Sequence, residues 1–396
     1  MQYRIDKRSG RQLSVLGYGC MRFPRGVAGV DMKKSEQLVI NAVEKGVNYF
    51  DTAYLYPGSE AALGEILAAN NIRDKVNIAT KLPITNCTAK GDFEKYFKIQ
   101  LERLQTDYID YYLMHNINNV EQWKRLCELG IEDWLERKKA GGSIKRAGFS
   151  FHGTNEEFTK VLNSYDWDFC QIQYNYSDEN YQAGVDGLKK AAEKNIPVII
   201  MEPLLGGSLA KGLPKKALEA FGKVNSEISP AAWALKWLWN QPEVTVVLSG
   251  MNDFSQLEDN LKTADMSRDG MLTDKEKSTY TQVVKILRET YKVPCTGCGY
   301  CMPCPQNVNI PACFSAYNAS HAFGRITGII QYVTGTAANR KESRVASLCI
   351  GCGKCQRHCP QNIEIPKRLK DAEKRMEPFY FKWGMKILRY RNEKAQ

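Results

Sequence analysis

Up to about residue 285, short apolar runs alternate with longer amphipathic stretches, and no other feature of the chain limits its fold as strongly. The runs are LSVLGYGC (13–20), VNYFDTA (47–53), VNIATKL (76–82), YIDYYLMH (108–115), RAGFSFH (146–152), FCQIQYN (169–175), PVIIMEP (197–203) and VTVVLSG (244–250). Each is rich in Val, Ile, Tyr and Phe, the composition of parallel strands buried on both faces. Between them lie helix-like segments. SEQLVINAVEKG (35–46) opens on a capping serine and ends on glycine, and NEEFTKVLNSY and AGVDGLKKAAEKN have similar apolar spacing. Eight strand–helix pairs over this length fit a closed (β/α)8 TIM barrel. An open doubly wound sheet would want a Gly-rich phosphate turn after its first strand. LGYGCMRFP offers only Gly17 and Gly19 and leads into no obvious helix, so the barrel is expected over 1–285.

After residue 285 the character changes. Of the thirteen cysteines, Cys20, Cys87, Cys127 and Cys170 stand alone, and nine crowd into 295–359. The start, MQYRIDKRSGRQLSV, has no apolar core run, so no secretory signal is expected, and no segment has the apolar length of a membrane span. The location this implies is the cytoplasm, where clustered cysteines favour metal over disulfides.

The run Cys349-x2-Cys352-x2-Cys355-x3-Cys359-Pro360 has the bacterial ferredoxin spacing for a [4Fe–4S] cluster. Three thiolates on one tight loop bind three irons, and the Cys-Pro turn sends the fourth elsewhere. Zinc is the competitor, but it prefers paired CxxC knuckles to three cysteines in series. The earlier run, Cys295-x2-Cys298-x2-Cys301-x2-Cys304-Pro305, is one residue shorter before its last cysteine. CPQNVNIP (304–311) and CPQNIEIP (359–366) lie 55 residues apart and differ at two positions, which indicates a pseudo-symmetric two-site module. In two-cluster ferredoxins the last cysteine of each run serves the other cluster. The expected sets are therefore Cys295, Cys298, Cys301 and Cys359 for one cluster, and Cys349, Cys352, Cys355 and Cys304 for its partner. Cys313 reads as a buried structural thiol, with a spare ligand as the alternative. The second domain, 286–396, is expected to be small, mainly α and ferredoxin-like, and its thiolates imply oxygen sensitivity.

Formal net charge is +11, and residues 367–396 hold ten Lys and Arg against four Asp and Glu. This tail interleaves its charge with Phe379, Tyr380, Phe381, Trp383, Ile387 and Leu388. The reading preferred from sequence is a solvated helix face with its apolar side packed on the protein itself, and a docking patch is the alternative. No nucleic-acid recognition motif accompanies the charge, so nucleic acid is not expected as a partner.

In a barrel of this kind reactive side chains gather at the C-terminal ends of the strands. There the second run ends in Asp51, followed by Tyr56; the third ends in Lys81 and the fourth in His115. Together these residues can protonate an oxygen. A tyrosine is a weak donor at neutral pH; a nearby ammonium favours its phenolate, and an aspartate holds that ammonium charged. A histidine can orient a carbonyl whose oxygen gains charge as hydride reaches its carbon.

FDTAYLY, Lys81 after VNIAT, and YYLMH resemble the aldo/keto reductase family over about residues 1–285. The resemblance implies Tyr56 as general acid, Lys81 and Asp51 as its tuning pair, and His115 as the carbonyl-orienting residue. It also implies an NADPH or NADH cofactor lying extended across the barrel mouth. The contacts it suggests are Gly19 and Met21 after the first strand, Ser150 and Gln171 near the carboxamide, and Pro203, Leu204 and Gly206 of MEPLLGG in place of a pyrophosphate loop. Gly250, Gln256 and Asn260 complete the set, with Asn260 in an adenine-contact position. Phe151 stands where the family usually has asparagine, and Gln256 where many NADPH-preferring members have arginine, so the choice between NADP and NAD stays open. The cysteine module resembles a ferredoxin-like C-terminal extension of some bacterial relatives in the family.

Three functions follow. The first is a nicotinamide-dependent reductase of a small carbonyl substrate, or dehydrogenase of the matching alcohol, carrying two [4Fe–4S] clusters. The second is an electron-transfer oxidoreductase passing single electrons between the clusters and a flavin or substrate in the barrel, with a possible redox partner protein. The third is a non-enzymatic redox sensor, against which the intact tetrad argues.

Overall fold

Each of the eight apolar runs supplies a strand of one closed, all-parallel barrel. These are β1 (Leu16–Gly19), β2 (Tyr49–Asp51), β3 (Asn77–Leu82), β4 (Ile109–Ile117), β5 (Ile144–Phe151), β6 (Phe169–Gln173), β7 (Val198–Met201) and β8 (Val244–Ser249). Sequential strands are neighbours, and β8 pairs with β1 through Val247 opposite Leu16 to complete the ring. The computed structural model describes residues 1–396 except 27–28, 296, 298, 339–341, 360 and 395–396, and without the side chains of 389–394.

Two local expectations change. The run 13–20 is two pieces: Gln12–Ser14 pairs antiparallel with Tyr3–Ile5, and only from Leu16 does the chain join the barrel. Ser14 marks the break, its hydroxyl donating to the Leu16 carbonyl at 2.7 Å. Ser35 is not a cap but a buried residue within helix Met32–Glu44; the cap is Asp31, whose carboxylate accepts from the Lys34 amide at 3.1 Å. A carboxylate satisfies an unpaired amide of the first turn and also suits the positive end of the helix dipole.

The strand period of two decides which side chains reach the lumen. Tyr49, Ala79, Tyr111, Leu113, Phe169, Ile199, Val246 and Leu248 fill the barrel interior. Phe50, Ile78, Tyr112, Met114, Phe149, Ile172, Ile200 and Val247 instead join the layer between strands and helices. A Cβ on Gly17 would sit 2.7 Å from Leu248 and 2.8 Å from Val246, so the lumen there has room only for glycine.

Contacts divide the chain into two compact units. The first joins Met1–Asn175, Gln182–Leu204 and Ala231–Leu272; the second joins Tyr176–Tyr181, Leu205–Pro230 and Thr273–Gln396. Residue 285 falls inside helix Asp274–Glu289, which begins on a Thr273–Glu276 capping box and belongs to the second unit. That unit also contains helices Ile310–Ala322, Arg325–Thr336 and Ile365–Met376, packed around Val293, Val308, Phe314, Tyr332 and Leu369.

The repeat seen in sequence is a structural repeat. Asn307 and Asn362 both have left-handed φ, 56° and 51°, and each amide bonds back to the preceding cysteine carbonyl, Cys304 or Cys359. Ile310 and Ile365 then open helices with proline in the first turn, and Val308 and Ile363 are buried in the same core. The two copies differ where their spacing differs. A short helix, Lys354–Arg357, precedes Cys359, whereas Cys301 and Cys304 are joined through a cis Met302–Pro303 bond.

The terminal helix, Phe379–Lys394, departs from the expected packing. Phe381 and Met385 join the unit's core, but Phe379, Tyr380, Trp383 and Leu388 are exposed. The helix carries apolar residues on more than one side, and a single core can cover only one stripe. Among the described residues no helix is long and apolar enough to cross a membrane.

Candidate functional site

Asp51, Lys81 and His115 each lie two residues beyond a lumen-filling side chain, namely Tyr49, Ala79 and Leu113. Strand alternation therefore aims all three into the C-terminal mouth. The Lys81 ammonium donates to both Asp51 carboxylate oxygens and to the Thr52 carbonyl, each at 2.7 Å. Its Nζ lies 4.9 Å from the centre of the Tyr56 ring, and Tyr56 meets His115 edge-on with ring centres 5.8 Å apart. The four residues form one cluster.

Burial opposes charge on Lys81, but Asp51 and Tyr56 outweigh it and hold the ammonium above its ordinary pKa. For Tyr56 the balance runs against the expected lowering. Burial raises the phenol most; Lys81 pulls it down by charge and a hydrogen bond, and Asp51 and Glu202 add to the rise. The net direction is upward, because the cost of ionising a buried phenol exceeds the pull of the lysine.

A network not foreseen from sequence backs the lysine. Thr80 donates to Glu60 at 2.6 Å, Gln100 bonds Glu60 at 2.8 Å and the Lys81 carbonyl at 3.1 Å, and Arg103 pairs with Glu60 at 3.1 Å. Glu60 shares a helix face with the buried Leu63 and Gly64, and a charge on that apolar face is the signal that could have revealed it.

His115 also depends on a feature outside the sequence patterns. The register between β4 and β5 shifts between Met114 and Ile117, and Asn116 takes φ 60°. This bulge is held by the Asn116 amide, which donates to Ser150 Oγ at 2.7 Å. Ser150 thereby fixes the backbone beside the histidine, a role separate from the carboxamide contact expected of it.

The remaining cofactor candidates are placed unequally. Gln171 points inward from β6, with Nε2 3.5 Å from Met201 Sδ, while its buried Oε1 has no hydrogen-bond partner among the described residues. An acceptor left open in the lumen fits an amide-bearing ligand. Gly19 ends β1 opposite Asp51, and Gly250 lies under the Arg22 side chain, which a Cβ would strike at 2.7 Å. Met21 is exposed and Pro203 and Leu204 follow β7, whereas Gly206 belongs to the other unit. Asn260 is buried and donates to Ser249 Oγ at 2.9 Å; Gln256 folds back on Asn252, donating to its side-chain oxygen at 2.9 Å.

In the cysteine unit, Cys295 and Cys301 of the first run and Cys359 of the second line one pocket, with Ile310, Phe314 and Ile363. Cys298 lies outside the described residues. Burial, then the neighbouring Cys349 and Cys304, push the Cys355 thiol up, so these three sulfurs also share a neighbourhood; Cys352 is exposed. Cys313 is fully buried, and burial pushes its thiol well above the usual range. Gly297, Gly299, Gly351 and Gly353 all have φ between 72° and 79°, which lets the chain turn sharply beside them in both runs. Among the described residues no three His, Cys, Asp or Glu side chains converge tightly enough for a single metal ion. Two runs of four cysteines, each thiolate able to take a different iron, suit iron–sulfur clusters better than a single tetrahedral zinc.

Two family models match. Residues 15–275 match the aldo/keto reductase family, and residues 294–364 match the 4Fe-4S dicluster domain. The uncharacterized oxidoreductases YrpG and YqkF of Bacillus subtilis are similar at 28% and 26% identity, over 68% and 70% of this chain and 93% and 94% of theirs. Among solved structures, the holo form of aldo-keto reductase AKR11C1 from Bacillus halodurans superposes with a TM-score of 0.59 at 24% identity, over 72% of this chain and 96% of that one. An aldo/keto reductase from Klebsiella pneumoniae in complex with NADP and acetate gives 0.58 at 20% identity, over the same shares. With the barrel, its polar mouth and the paired cysteine runs in view, the chain belongs to the aldo/keto reductase family of oxidoreductases and carries a 4Fe-4S dicluster domain at its C-terminus.

Proposed function

We propose that the barrel reduces the carbonyl of a small molecule, or oxidises the matching alcohol, using NADPH or NADH. The observation that carries this reading is the buried Lys81 ammonium, fixed by two 2.7 Å bonds to Asp51 and set against the Tyr56 ring beside His115. A bound nicotinamide supplies the hydride. Tyr56 donates its phenolic proton to the carbonyl oxygen, Lys81 stabilises the phenolate left behind, and Asp51 keeps that lysine charged and in place. His115 donates a hydrogen bond to the same oxygen as its charge grows. Gln171 and Ser150 would hold the nicotinamide end, with Gly19, Met21, Pro203, Leu204, Gly250, Gln256 and Asn260 as the remaining contacts.

In the second domain two [4Fe–4S] clusters are proposed, one on Cys295, Cys298, Cys301 and Cys359 and the other on Cys304, Cys349, Cys352 and Cys355. The cavity shared by Cys295, Cys301 and Cys359 supports the exchange of ligands between runs. Bound clusters supply one-electron chemistry, which makes a separate redox protein a fitting partner and the cytoplasm a fitting location. The functional division proposed is 1–285 for hydride chemistry and 286–396 for the clusters.

The test is anaerobic turnover of a panel of aldehydes and ketones with each nicotinamide, with cluster absorbance followed alongside. Nicotinamide consumption that depends on the carbonyl supports the proposal, and full-rate reduction by Tyr56→Phe refutes it. Bleaching of the clusters by nicotinamide alone would point to electron transfer instead. A hundredfold tighter Kd for NADPH than for NADH would show Gln256 to be a poor guide to cofactor choice.

A further inference from the structure

We propose that the C-terminal helix docks the protein on an anionic lipid surface. Helix Phe379–Lys394 has two apolar stripes. Phe381 and Met385, four residues apart, pack into the core of the cysteine unit. A second stripe faces outward: Phe379 is 84% exposed, Tyr380 51% and Trp383 69%. Phe379, Trp383 and the half-buried Ile387 follow at steps of four, the spacing of one helix face.

The neighbouring helix Arg325–Thr336 adds to this surface. Its Arg325 guanidinium lies 5.9 Å from the Tyr380 ring centre, and it exposes Ile326 and Ile330 one turn apart. Seven tryptophans occur in the chain, and Trp383 alone among them is an exposed residue. Large aromatic side chains left in water at this density need a partner.

Charge selects the partner. The last thirty residues carry ten Lys and Arg against four acids, and Lys382 and Lys386 are exposed beside the aromatic stripe. Lysine is depleted from protein–protein interfaces, whereas lysine and arginine flanking Trp, Tyr and Phe on a surface helix suit the headgroup layer of a bilayer. The aromatic rings enter the boundary between headgroups and acyl chains, while the long basic stems reach the phosphates. The helix spans about 24 Å at 1.5 Å per residue, enough to lie along the surface.

The test uses the full chain, purified anaerobically, with vesicles of phosphatidylcholine alone or mixed with phosphatidylglycerol. Sedimentation with the mixed vesicles only, weakened by added salt, is the expected result. Lipids brominated near the interface should quench a fluorescence component that Trp383→Phe removes. Trp383→Ala should weaken binding at least tenfold, and Lys386→Glu about thirtyfold on combining a lost and a reversed charge. Retained cluster absorbance would show that either variant is folded, and carbonyl turnover by the barrel should be unchanged. Equal binding to both vesicles, or binding indifferent to both substitutions, overturns the proposal. So does a chain that ignores vesicles but binds a purified acidic redox protein through the same residues, which would make the surface a protein dock.

Discussion

The barrel mouth and the cysteine loops place their reactive groups by opposite means. At the mouth, Asp51, Lys81 and His115 project from strands whose alternation is fixed by a ring of backbone hydrogen bonds and a packed lumen. Most of the described cluster cysteines sit on irregular loops, with Cys355 in the short helix Lys354–Arg357, and these loops are shaped by left-handed glycines and by asparagines that turn the chain into the following helices. The strand-borne site is organised by the protein's own core. The loop-borne site holds sulfurs whose common purpose is an inorganic centre, so its order should depend on that centre.

Removing iron is therefore expected to have the largest and most one-sided effect. Chelation under reducing conditions should loosen the second unit, opening it to limited proteolysis after residue 290, while the barrel keeps its near-UV circular dichroism. A barrel that melts along with the clusters would erase the contrast. Next comes Tyr56→Phe, expected to lower the rate of carbonyl reduction by about 10²–10⁴ without changing nicotinamide affinity. Lys81→Met leaves the buried Asp51 without its cation, and a stability loss of about 3–5 kcal/mol should appear in denaturant titration beside the lost activity.

The pH profile tests the direction found for Tyr56. A raised phenol stays protonated through neutrality, so reduction should be flat there and decline only above the ordinary phenol value of about 10. Alcohol oxidation, which needs the phenolate, should rise through the same alkaline range. A reduction rate already falling between neutrality and that value would mean that Lys81 wins over burial. The smallest effects compare one left-handed residue from each region. Asn116→Ala and Gly353→Ala should each cost about 1–2 kcal/mol, the first read as slower turnover through His115 and the second as weaker cluster retention.

Much of this was legible in the sequence because it rests on short-range periodicity. The eight apolar runs match the eight strands, and the parity that puts Tyr49 and Ala79 in the lumen also puts Asp51 and Lys81 there. The repeated CPQN segments match in dihedral angle as well as in letters. Expectations that needed a sum over neighbours fared worse. The lowering predicted for Tyr56 took Lys81 into account but not burial. Ser35 looked like a cap because its identity suits one, and only Asp31 has the backbone position to fill the role.

The sequence by itself determined the strand–helix order, the inward parity of Asp51, Lys81 and His115, and the two cysteine runs, because each follows from residue type at fixed local spacing. Only the tertiary structure decided the bulge by which Ser150 holds the backbone beside His115, the Glu60 network behind Lys81, and the cavity shared by Cys295, Cys301 and Cys359. It also left Phe379 and Trp383 facing outward. Those features join residues tens of positions apart or depend on which stripe the core covers, and local spacing carries no information about either.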